Sequence, residues 1–365
     1  MSDHAFMAQA IALAKRGIYS THPNPRVGCV IVKDGKIVGE GFHIRAGQGH
    51  AEVNALTMAG DNAQGATAYV TLEPCSHHGR TPPCAEALVK AGVARVVAAM
   101  TDPNPQVAGR GLKRLRDAGI EVSSGVLEAE ARALNLGFFK RMEKGLPYVR
   151  IKLAMSVDGR TAMQSGESQW ITGPCARQMV QRLRAESGAI ITGADTVLLD
   201  NARLTVRGDE LGLEGEALAL ATERAPLRVL IDGKRRVPVT APFFSAPNAL
   251  VASCQEDPAL HEAGIAHWQF AGENVDLRAL LKKLAEQGVN EVLVEAGAAL
   301  AGAFAAQNLV DEYLIFMAPK LMGSSARALL DLPISQMQDA KDLEIVDIRA
   351  VGQDWLIQAK PAPLA

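Results

Sequence analysis

The sequence predicts an α/β protein made of two domains. The chain has 365 residues, more than one typical hydrophobic core organises, and 48% of them are apolar, as in a globular protein. Short β-rich runs alternate with amphipathic helical segments, which is the pattern of layered α/β folds. The pattern is interrupted at Lys144-Gly145-Leu146-Pro147, where a polar stretch ends in a glycine and a proline. We therefore predict one domain over residues 1–146 and a second over 147–365.

The first domain begins with a predicted amphipathic helix over residues 3–17, which Gly17 ends. A hairpin follows, in which Lys33-Asp34-Gly35-Lys36 turns the chain between two apolar strands. The predicted strands cover residues 27–32, 37–42, 67–72 and 94–100. Helices are predicted over 50–59 and from Pro83, because proline suits a first helical turn.

The second domain opens with a predicted strand over residues 148–154. Further strands are predicted over 189–192, 227–231, 249–252, 291–294 and 313–317, and helices over 174–187, 276–288 and 298–307. The segment 208–224 is rich in Glu, Ala and Leu, and its composition fits either an exposed helix or an insertion.

Charge and composition argue against several classes of function. The 38 basic and 40 acidic residues give a net charge of −2 without a long run of like charge, so we expect no nucleic-acid or membrane partner. The N-terminus does not resemble a signal peptide, and no apolar stretch is long enough to span a bilayer. An odd number of cysteines (Cys29, Cys75, Cys84, Cys175 and Cys254) argues against a disulfide framework, and we expect a cytoplasmic protein.

Two motifs in the first domain have the chemistry of a zinc site. His50-Ala51-Glu52 lies at the start of a predicted helix, and Pro74-Cys75 is followed by Cys84. One imidazole and two thiolates leave the fourth position of a tetrahedral zinc ion open for water, and Glu52 can then move the protons of a hydrolytic deamination. Zinc deaminases use such a glutamate, although their usual signature has two residues between the cysteines, whereas eight lie between Cys75 and Cys84.

The alternative is a structural zinc site. Its coordination would be closed by a fourth protein ligand, and His77 or His78 could supply it. Both histidines belong to the loop SHHGRTPP at 76–83, which Gly79 and two prolines shape. We interpret His77, His78 and Arg80 as substrate contacts beside the metal, with Arg80 facing a phosphate.

Several motifs closely resemble one family, the bifunctional riboflavin-biosynthesis deaminase–reductases. They are HPNP at 22–25 with Val27-Gly28, HAE at 50–52, TLEPCSHHGRTPPC at 71–84, DPNPQVAGRG at 102–111, KLAMSVDGRTA at 152–162, SGESQWITG at 165–173 and VEAGAALAGAF at 294–304. The resemblance covers essentially the whole chain, and the spacing of Cys75 and Cys84 is the one this family shows.

The resemblance implies two consecutive reactions. The first is deamination of 2,5-diamino-6-ribosylamino-4(3H)-pyrimidinone 5′-phosphate, and the second is reduction of the ribosyl chain of the product to a ribityl chain with NADPH. It also implies Zn²⁺ as a cofactor, a three-layer cytidine-deaminase-like first domain and a dihydrofolate-reductase-like α/β second domain. By resemblance, Asn24 and His43 line the pyrimidine pocket, and Arg80 stands near the substrate phosphate. Without the resemblance, Asn24 would be interpreted as a turn residue between two prolines.

The residues of the second domain point less directly to a reaction. No G-x-G-x-x-G follows a strand, so a Rossmann site is not supported. Gly297 and Gly302 flank the start of a predicted helix, where small residues let backbone N–H groups approach a pyrophosphate or serve close helix packing. Arg184 and Arg207 make chemical sense as phosphate clamps, although most arginines are surface charges. Trp170 could pack on a ribose or nicotinamide ring or belong to the core.

The resemblance assigns positions in the second domain to each ligand. The predicted cofactor positions are Ala154, Trp170, Thr196, Asp200, Gly297, Ala298, Ala299, Leu300, Ala301, Gly302 and Ala303. The predicted substrate positions are Ser168, Arg184, Leu204, Arg207 and Glu295. For catalysis we propose Lys152, Asp200 and Glu295 as the polar groups of the reduction. The chain departs from the family at Asn201-Ala202, where Asp-Pro is common, and at Gly233, where Ser is common.

Two other interpretations remain possible from the residues alone. One is a nucleoside or nucleic-acid deaminase with an appended domain of another function, against which the near-neutral charge and the cysteine spacing argue. The other is a zinc-stabilised sensor that binds pyrimidine phosphates without turning them over, against which Glu52 argues. We expect small pyrimidine ribosyl phosphates as partners and a homo-oligomeric assembly.

Overall fold

In the computed structural model, which describes residues 2–76, 82–105 and 107–363, the chain divides into two units, Met1–Leu146 and Pro147–Ala365. Each unit is an α/β structure with its own sheet, which confirms the predicted fold class. All five cysteines are free thiols. Among the described residues, no helix combines the length and the apolar character needed to cross a membrane.

A five-stranded sheet organises the first unit. Its strands are β1 (Gly28–Lys33), β2 (Lys36–Phe42), β3 (Thr67–Val70), β4 (Arg95–Ala98) and β5 (Glu121–Ser124). Its helices are α1 (Asp3–Lys15), α2 (Ala51–Ala59), α3 (Cys84–Lys90), α4 (Arg110–Asp117), α5 (Glu128–Ala133) and α6 (Leu136–Lys144). The strand order is β2-β1-β3-β4-β5, in which β2 and β3 are antiparallel to β1 while β3, β4 and β5 are parallel.

The two faces of this sheet carry separate apolar layers. Cys29 and Ile31 of β1 belong to a cluster with residues of α2, α3 and α4, whereas Val30 and Val32 belong to a cluster with residues of α1, α5 and α6. Alternate side chains of a strand point to opposite faces, so the hydrophobic run of β1 is explained by burial on both sides. The first unit is therefore a three-layer structure.

A nine-stranded sheet organises the second unit. Its strands are β6 (Tyr148–Ser156), β8 (Ala189–Gly193), β9 (Leu227–Ile231), β10 (Ala249–Ser253), β11 (Ala266–Gln269), β12 (Glu291–Glu295), β13 (Glu312–Ala318), β15 (Leu343–Val351) and β16 (Asp354–Pro361), and a separate ribbon pairs β7 (Arg160–Ala162) with β14 (Arg327–Ala328). Its helices are α7 (Pro174–Glu186), α8 (Ala194–Asp200), α9 (Gly215–Glu223), α10 (Pro258–Glu262), α11 (Leu277–Glu286) and α12 (Ala298–Ala306).

The order of the large sheet is β11-β10-β9-β8-β12-β6-β13-β16-β15. The seven strands from β11 to β13 are parallel, and β16 and β15 continue the sheet antiparallel. In a parallel sheet the carboxyl ends of all strands meet at one edge, where α/β proteins bind ligands. The loops after β8 and β12 lie at that edge.

Three strands of the large sheet, β11, β15 and β16, were not predicted. β15 is an edge strand whose residues are mostly exposed, and its pairing with β16 shifts register between Ile345 and Asp347. It therefore lacks the regular buried alternation by which a strand is recognised in sequence. The segment 208–224, which the sequence left open, contains helix α9 with Leu220 and Ala221 buried.

Candidate active sites

Helix α2 carries two residues predicted to act in catalysis. His50 is its N-terminal cap, and Glu52 lies in its first turn. A Cβ atom at Gly41 of β2 would lie 2.5 Å from the carbonyl oxygen of Ala51, so glycine is needed for the helix to pack this closely on the strand. This packing holds His50 and Glu52 against the sheet.

The three predicted zinc ligands lie together. Nδ1 of His50 is 3.6 Å from Sγ of Cys75 and 3.3 Å from Sγ of Cys84, and the ligand atoms of all three residues lie within 4.8 Å of one another. Zinc with its usual bond lengths and tetrahedral angles separates a nitrogen from a sulfur ligand by about 3.5 Å. The donor set and its spacing therefore fit a zinc ion. His77, His78 and Arg80 lie outside the described residues.

The pKa values of the two thiols are shifted in opposite directions. The backbone N–H of Cys84 donates to Sγ of Cys75 over 3.3 Å. Hydrogen bonds from the Cys84 thiol, the His50 ring and this N–H lower the pKa of Cys75 to about 4, although burial opposes them. The contact with Cys75, together with burial, raises the pKa of Cys84. These contacts favour the thiolate form of Cys75, which is the form that binds metals.

Glu52 is the buried carboxyl group of this site, with 3% of its surface exposed. Burial, followed by the charge of Cys75, raises its pKa from 4.5 to about 7. A carboxyl group that titrates near neutral pH can both accept and return a proton, which is what the predicted proton shuttle requires.

Asn24 and His43 form a hydrogen-bonded pair beside these residues. Nδ2 of Asn24 donates to Nε2 of His43 over 3.0 Å, and Nδ1 of His43 donates to the carbonyl oxygen of Gly49 over 3.2 Å. Because the ring accepts at one nitrogen and donates from the other, it is neutral. Burial lowers the pKa of His43 to about 4, which agrees with a neutral ring.

These side chains share a cavity of about 450 Å³ in the first unit. The predicted residues that line it are Asn24, His43, His50, Glu52 and Cys75. Further polar lining comes from Gln48, Glu73, Asp102 and Asn104, to which the sequence interpretation gave no role.

Asp102 and Asn104 have a recognisable source in the sequence. Oδ1 of Asp102 accepts the backbone N–H of Asn104 over 2.8 Å, and burial raises the pKa of Asp102 to about 6. Both belong to the run DPNPQVAGRG at 102–111, which contributed to the family resemblance. Asp, Asn and Pro are also the usual residues of turns, so the composition of this run did not distinguish a pocket wall from an ordinary loop.

Lys152, Arg184 and Glu295 form a charged cluster in the second unit. Lys152 of β6 lies opposite Glu295 of β12 in the sheet register. Arg184 of α7 donates from Nε and Nη2 to the two carboxylate oxygens of Glu295 over 2.6 and 2.9 Å. Burial alone would raise the pKa of Glu295, but Arg184, Lys152 and Arg207 hold it below its usual value. Burial lowers the pKa of Lys152.

The guanidinium group of Arg184 is largely engaged by the protein. Besides its two bonds to Glu295, its Nη1 donates to the carbonyl oxygen of Thr205 over 3.2 Å. The structure therefore shows Arg184 holding Glu295 and the segment after α8. A direct phosphate contact of Arg184 stays a prediction.

Asp200 joins two of the predicted ligand segments. Its Oδ1 accepts the Ser168 hydroxyl over 2.9 Å, and its carbonyl oxygen accepts Nε2 of Gln169 over 3.3 Å. Trp170, in the same loop, is 60% exposed, with the Arg177 guanidinium 4.6 Å from the centre of its ring. Trp170 is therefore not a core residue, and its ring is accessible to a ligand.

The other predicted ligand positions of the second unit differ in their burial and in their contacts. The carbonyl oxygen of Ala154 accepts the Thr161 hydroxyl, and Thr196 lies half-buried in the first turn of α8. The side chain of Leu204 is buried in an apolar cluster and its φ is 53°, so a substrate contact would have to come from its main chain. Arg207 pairs with Glu210 over 2.8 Å and is about half exposed.

The predicted cofactor segment 297–303 contains the start of helix α12, and its two glycines have different surroundings. Gly297 is the exposed N-cap, and a Cβ atom there would meet nothing within 4 Å, so its backbone is open to a phosphate. A Cβ atom at Gly302 would lie 2.0 Å from the carbonyl oxygen of Asp331, so this glycine serves close packing, and Ala301 is fully buried. The cofactor positions Ala298, Ala299, Leu300 and Ala303 stay predictions.

Comparisons with known proteins give consistent results for both units. The family described as RibD C-terminal domain matches residues 147–357, and the cytidine and deoxycytidylate deaminase zinc-binding region matches residues 1–100. The riboflavin biosynthesis protein RibD of Escherichia coli K12 is 54% identical over 359 residues, which cover 97% of this chain and 98% of the relative. The protein of the same name from Haemophilus influenzae is 49% identical over 368 residues, which cover 98% of this chain and 97% of the relative.

Solved structures are similar over the full length. Acinetobacter baumannii RibD, form 1, has a TM-score of 0.92 and 50% identity, and 99% of each chain is covered. A diaminohydroxyphosphoribosylaminopyrimidine deaminase/5-amino-6-(5-phosphoribosylamino)uracil reductase from Thermotoga maritima has a TM-score of 0.86 and 33% identity, again with 99% of each chain covered. The chain therefore belongs to the RibD family of bifunctional deaminase–reductases of riboflavin biosynthesis.

Proposed function

We propose that the first unit deaminates 2,5-diamino-6-ribosylamino-4(3H)-pyrimidinone 5′-phosphate and that the second unit reduces the ribosyl side chain of the product with NADPH. The observation that supports the first step most strongly is one cavity containing His50, Cys75 and the buried Glu52. The charged cluster of Lys152, Arg184 and Glu295 supports the second.

His50, Cys75 and Cys84 would hold the zinc ion. A zinc ion bound by these residues supplies the Lewis acidity that makes water a nucleophile near neutral pH. Glu52 accepts one proton of the attacking water and delivers it to the ring nitrogen. It then carries the remaining hydroxyl proton to the leaving amine, so that ammonia departs and a carbonyl group remains. Its burial supports this role, because a water-excluded carboxyl group exchanges protons with its bound partners rather than with solvent.

Asn24 and His43 orient the pyrimidine in this proposal. The neutral His43 ring is held by Asn24 and by the Gly49 carbonyl, so it keeps one orientation when the substrate binds. Neutral groups suit an uncharged pyrimidine ring, because they recognise its polar edge without adding a charge beside the zinc site. The assignment of Arg80 to the substrate phosphate is part of the same proposal and concerns a residue outside those described.

The reduction uses a different set of residues. Lys152 is the candidate proton donor, because burial lowers the pKa of its ammonium group and so makes it a stronger acid, while the charge of Glu295 beside it favours the protonated form. Glu295 and Asp200 bind hydroxyl groups of the ribosyl chain, and Ser168, Arg207 and the main chain of Leu204 complete the substrate site. Arg184 keeps the Glu295 carboxylate in place through its two hydrogen bonds.

NADPH would bind across the carboxyl edge of the large sheet and supply the hydride. The first turn of α12 at Gly297 is open enough for a pyrophosphate, and Trp170 is exposed enough to contact a cofactor ring. The remaining cofactor residues of the proposal are Ala154, Thr196, Asp200 and residues 298–303.

We further propose that the protein works in the cytoplasm as a homo-oligomer without a nucleic-acid partner. The nearly balanced charge supports the absence of nucleic acid. The edge strand β15 supports self-association, because Ile345, Val346 and Ile348 are each about half exposed along it. Light scattering after size exclusion measures the assembly, and a monomer at micromolar concentration would contradict this part.

A mass-resolved assay with the diaminopyrimidine phosphate tests the proposed reactions. Without NADPH, we expect a product 1 Da heavier, because an amino group is replaced by oxygen. With NADPH, we expect a further gain of 2 Da. If the protein deaminated free cytidine at a comparable rate and did not deaminate the diamino compound, a nucleoside deaminase would be favoured instead.

A further inference from the structure

The Glu73 side chain receives hydrogen bonds from one segment of main chain. It lies between β3 and Cys75, and 3% of its surface is exposed. Its Oε2 accepts the N–H groups of Asp102 and Gly109 over 3.1 and 2.8 Å. Its Oε1 accepts those of Gly111 and Leu112 over 2.8 and 3.2 Å. One carboxylate thus binds both ends of the loop 102–109 and the first turn of α4.

This loop is a wall of the cavity. Asp102, Asn104 and Val107 line the same space as Glu52 and Cys75. The loop ends at Gly109, whose φ is 85°, and the preceding Ala108 also has a positive φ of 29°. A non-glycine residue in that region is strained, so the turn needs contacts from outside to hold its shape.

Helix α4, which follows this loop, packs directly on the chain that carries a predicted zinc ligand. A Cβ atom at Gly111 would lie 1.9 Å from the carbonyl oxygen of Pro74, so only glycine lets α4 approach the Pro74–Cys75 peptide. Glu73 immediately precedes this peptide. The turn that carries Cys75 and this pocket wall are therefore joined through Glu73.

We propose that Glu73 is a positioning residue for the deamination, which sets the distance between the Cys75 turn and the Asp102–Val107 wall and thereby the affinity for the pyrimidine substrate. The inference rests on the proposed function for the identity of the substrate. The hydrogen-bond geometry does not depend on that identity.

Glu73→Gln is the most direct test, because it keeps the shape of the side chain but turns an NH₂ group towards two N–H donors. We expect KM for the diaminopyrimidine phosphate to rise roughly 10- to 100-fold, the scale of one or two lost hydrogen bonds to a charged acceptor. We expect kcat to stay within a few-fold and zinc to stay near one per chain. Backbone amides of 102–112 should exchange hydrogen faster than in the unmodified protein.

Two further variants make the test specific. Glu73→Asp keeps both acceptors on a shorter side chain and should give intermediate KM and exchange values. Glu86→Gln weakens a different tie to α4, the 2.9 Å pair with Arg114, and should leave KM unchanged. Circular dichroism and the zinc content show in each case that the first unit is folded, because NADPH-dependent reduction of the supplied intermediate reports on the second unit alone.

Several results would overturn the inference. Unchanged KM and unchanged exchange in Glu73→Gln would do so, and so would loss of zinc or of kcat with KM preserved. If neither Glu73 variant folded, Glu73 would be needed for folding rather than for substrate binding. If the proposed substrate is wrong, the unmodified protein will not turn it over, while the exchange difference between the variants will persist.

Discussion

In the first unit, the predicted metal ligands and Glu52 come from two short motifs beside one cavity, whereas in the second unit Arg184 and Glu295 meet across 111 residues of chain. The first site uses chemically distinctive residues, namely a histidine, two cysteines and a buried glutamate. The second uses an arginine, a lysine and carboxylates, which are common on any surface. A hydrolytic metal site is therefore visible as a local pattern, while a reductase site of this kind becomes visible when the sheet brings β6 and β12 together.

Burial acts on one glutamate in each unit, with opposite results for the pKa. Near Glu52, burial raises the pKa to about 7 and keeps the group available for proton transfer. Near Glu295, burial acts in the same direction but the charges of Arg184 and Lys152 outweigh it, so the carboxylate stays ionised. The two buried glutamates thus differ because only one of them has a cation bound in bidentate geometry.

The largest effect that separates the units should come from Glu52→Gln. The amide cannot accept the proton of water, so deamination should fall by about 10²–10⁴-fold. Reduction of the deaminated intermediate supplied with NADPH should be unchanged. NADPH oxidation by this variant in the presence of the diamino compound would overturn the order of the steps, and loss of reduction in a folded protein would mean that the two activities share residues.

Removing one predicted zinc ligand should likewise impair the first unit and spare the second. In Cys84→Ser, we expect metal analysis to find zinc well below one per chain and deamination to fall with it, because the hydroxyl of serine is a far weaker zinc ligand than a thiolate. Reduction should continue. Full zinc occupancy together with full deaminase activity would exclude Cys84 as a ligand.

Arg184→Met should act on the second unit alone. It leaves Glu295 buried without its bidentate partner, and breaking a buried pair in this way costs about 3–5 kcal/mol. All three tryptophans, Trp170, Trp268 and Trp355, lie in the second unit, so tryptophan fluorescence in urea reports its unfolding selectively. Deamination in the absence of denaturant should be unaffected.

The pH dependence of this difference has a definite sign. The pKa of Glu295 is held below its usual 4.5, so the pair stabilises the folded protein above that pH and loses its contribution as the pH falls through the folded pKa. The stability difference between the unmodified protein and Arg184→Met should therefore shrink in acid. A difference that is constant from pH 7 to pH 3 would contradict the assigned ion pair.

Asp200→Asn should have a moderate effect confined to reduction. It weakens the bond to Ser168 and removes a negative charge that raises the pKa of Lys152, so that pKa should fall further. We expect kcat/KM for reduction to drop roughly tenfold, about the free energy of one hydrogen bond to a charged group, and its alkaline limb to move to lower pH. Unchanged kinetics would make Asp200 a structural residue only.

The smallest effect is expected for replacement of the cysteines that are not predicted zinc ligands. Cys175 is exposed and Cys254 partly exposed, while Cys29 is buried in an apolar layer of the first unit. Replacement of Cys175 and Cys254 by Ser should leave both reactions within a few-fold. A larger loss in either reaction would reveal a role in the corresponding unit.

Local sequence patterns were enough to predict the two α/β units and the zinc residues. The alternation of apolar segments predicted two α/β units, because buried strands and amphipathic helices leave periodic patterns. The zinc residues and Glu52 were predictable because few other functions need those residue types at that spacing. Asn24 was not predictable from its surroundings, since an Asn between prolines is typical of a turn, and only the family resemblance pointed to the pocket.

Tertiary structure decided the contacts that support the sites. Nothing in the sequence marks Asp102, Gly109, Gly111 and Leu112 as donors to Glu73, because every residue except proline offers the same backbone N–H. Arg184 was predicted as a phosphate clamp, and only the packing of α7 beside β12 revealed its bonds to Glu295. Strand β15 has no buried face to give it a periodic pattern, so its place depends on pairing with β16. Residue types determine which chemistry a chain can perform, whereas long-range packing determines which backbone groups and charges hold that chemistry in place.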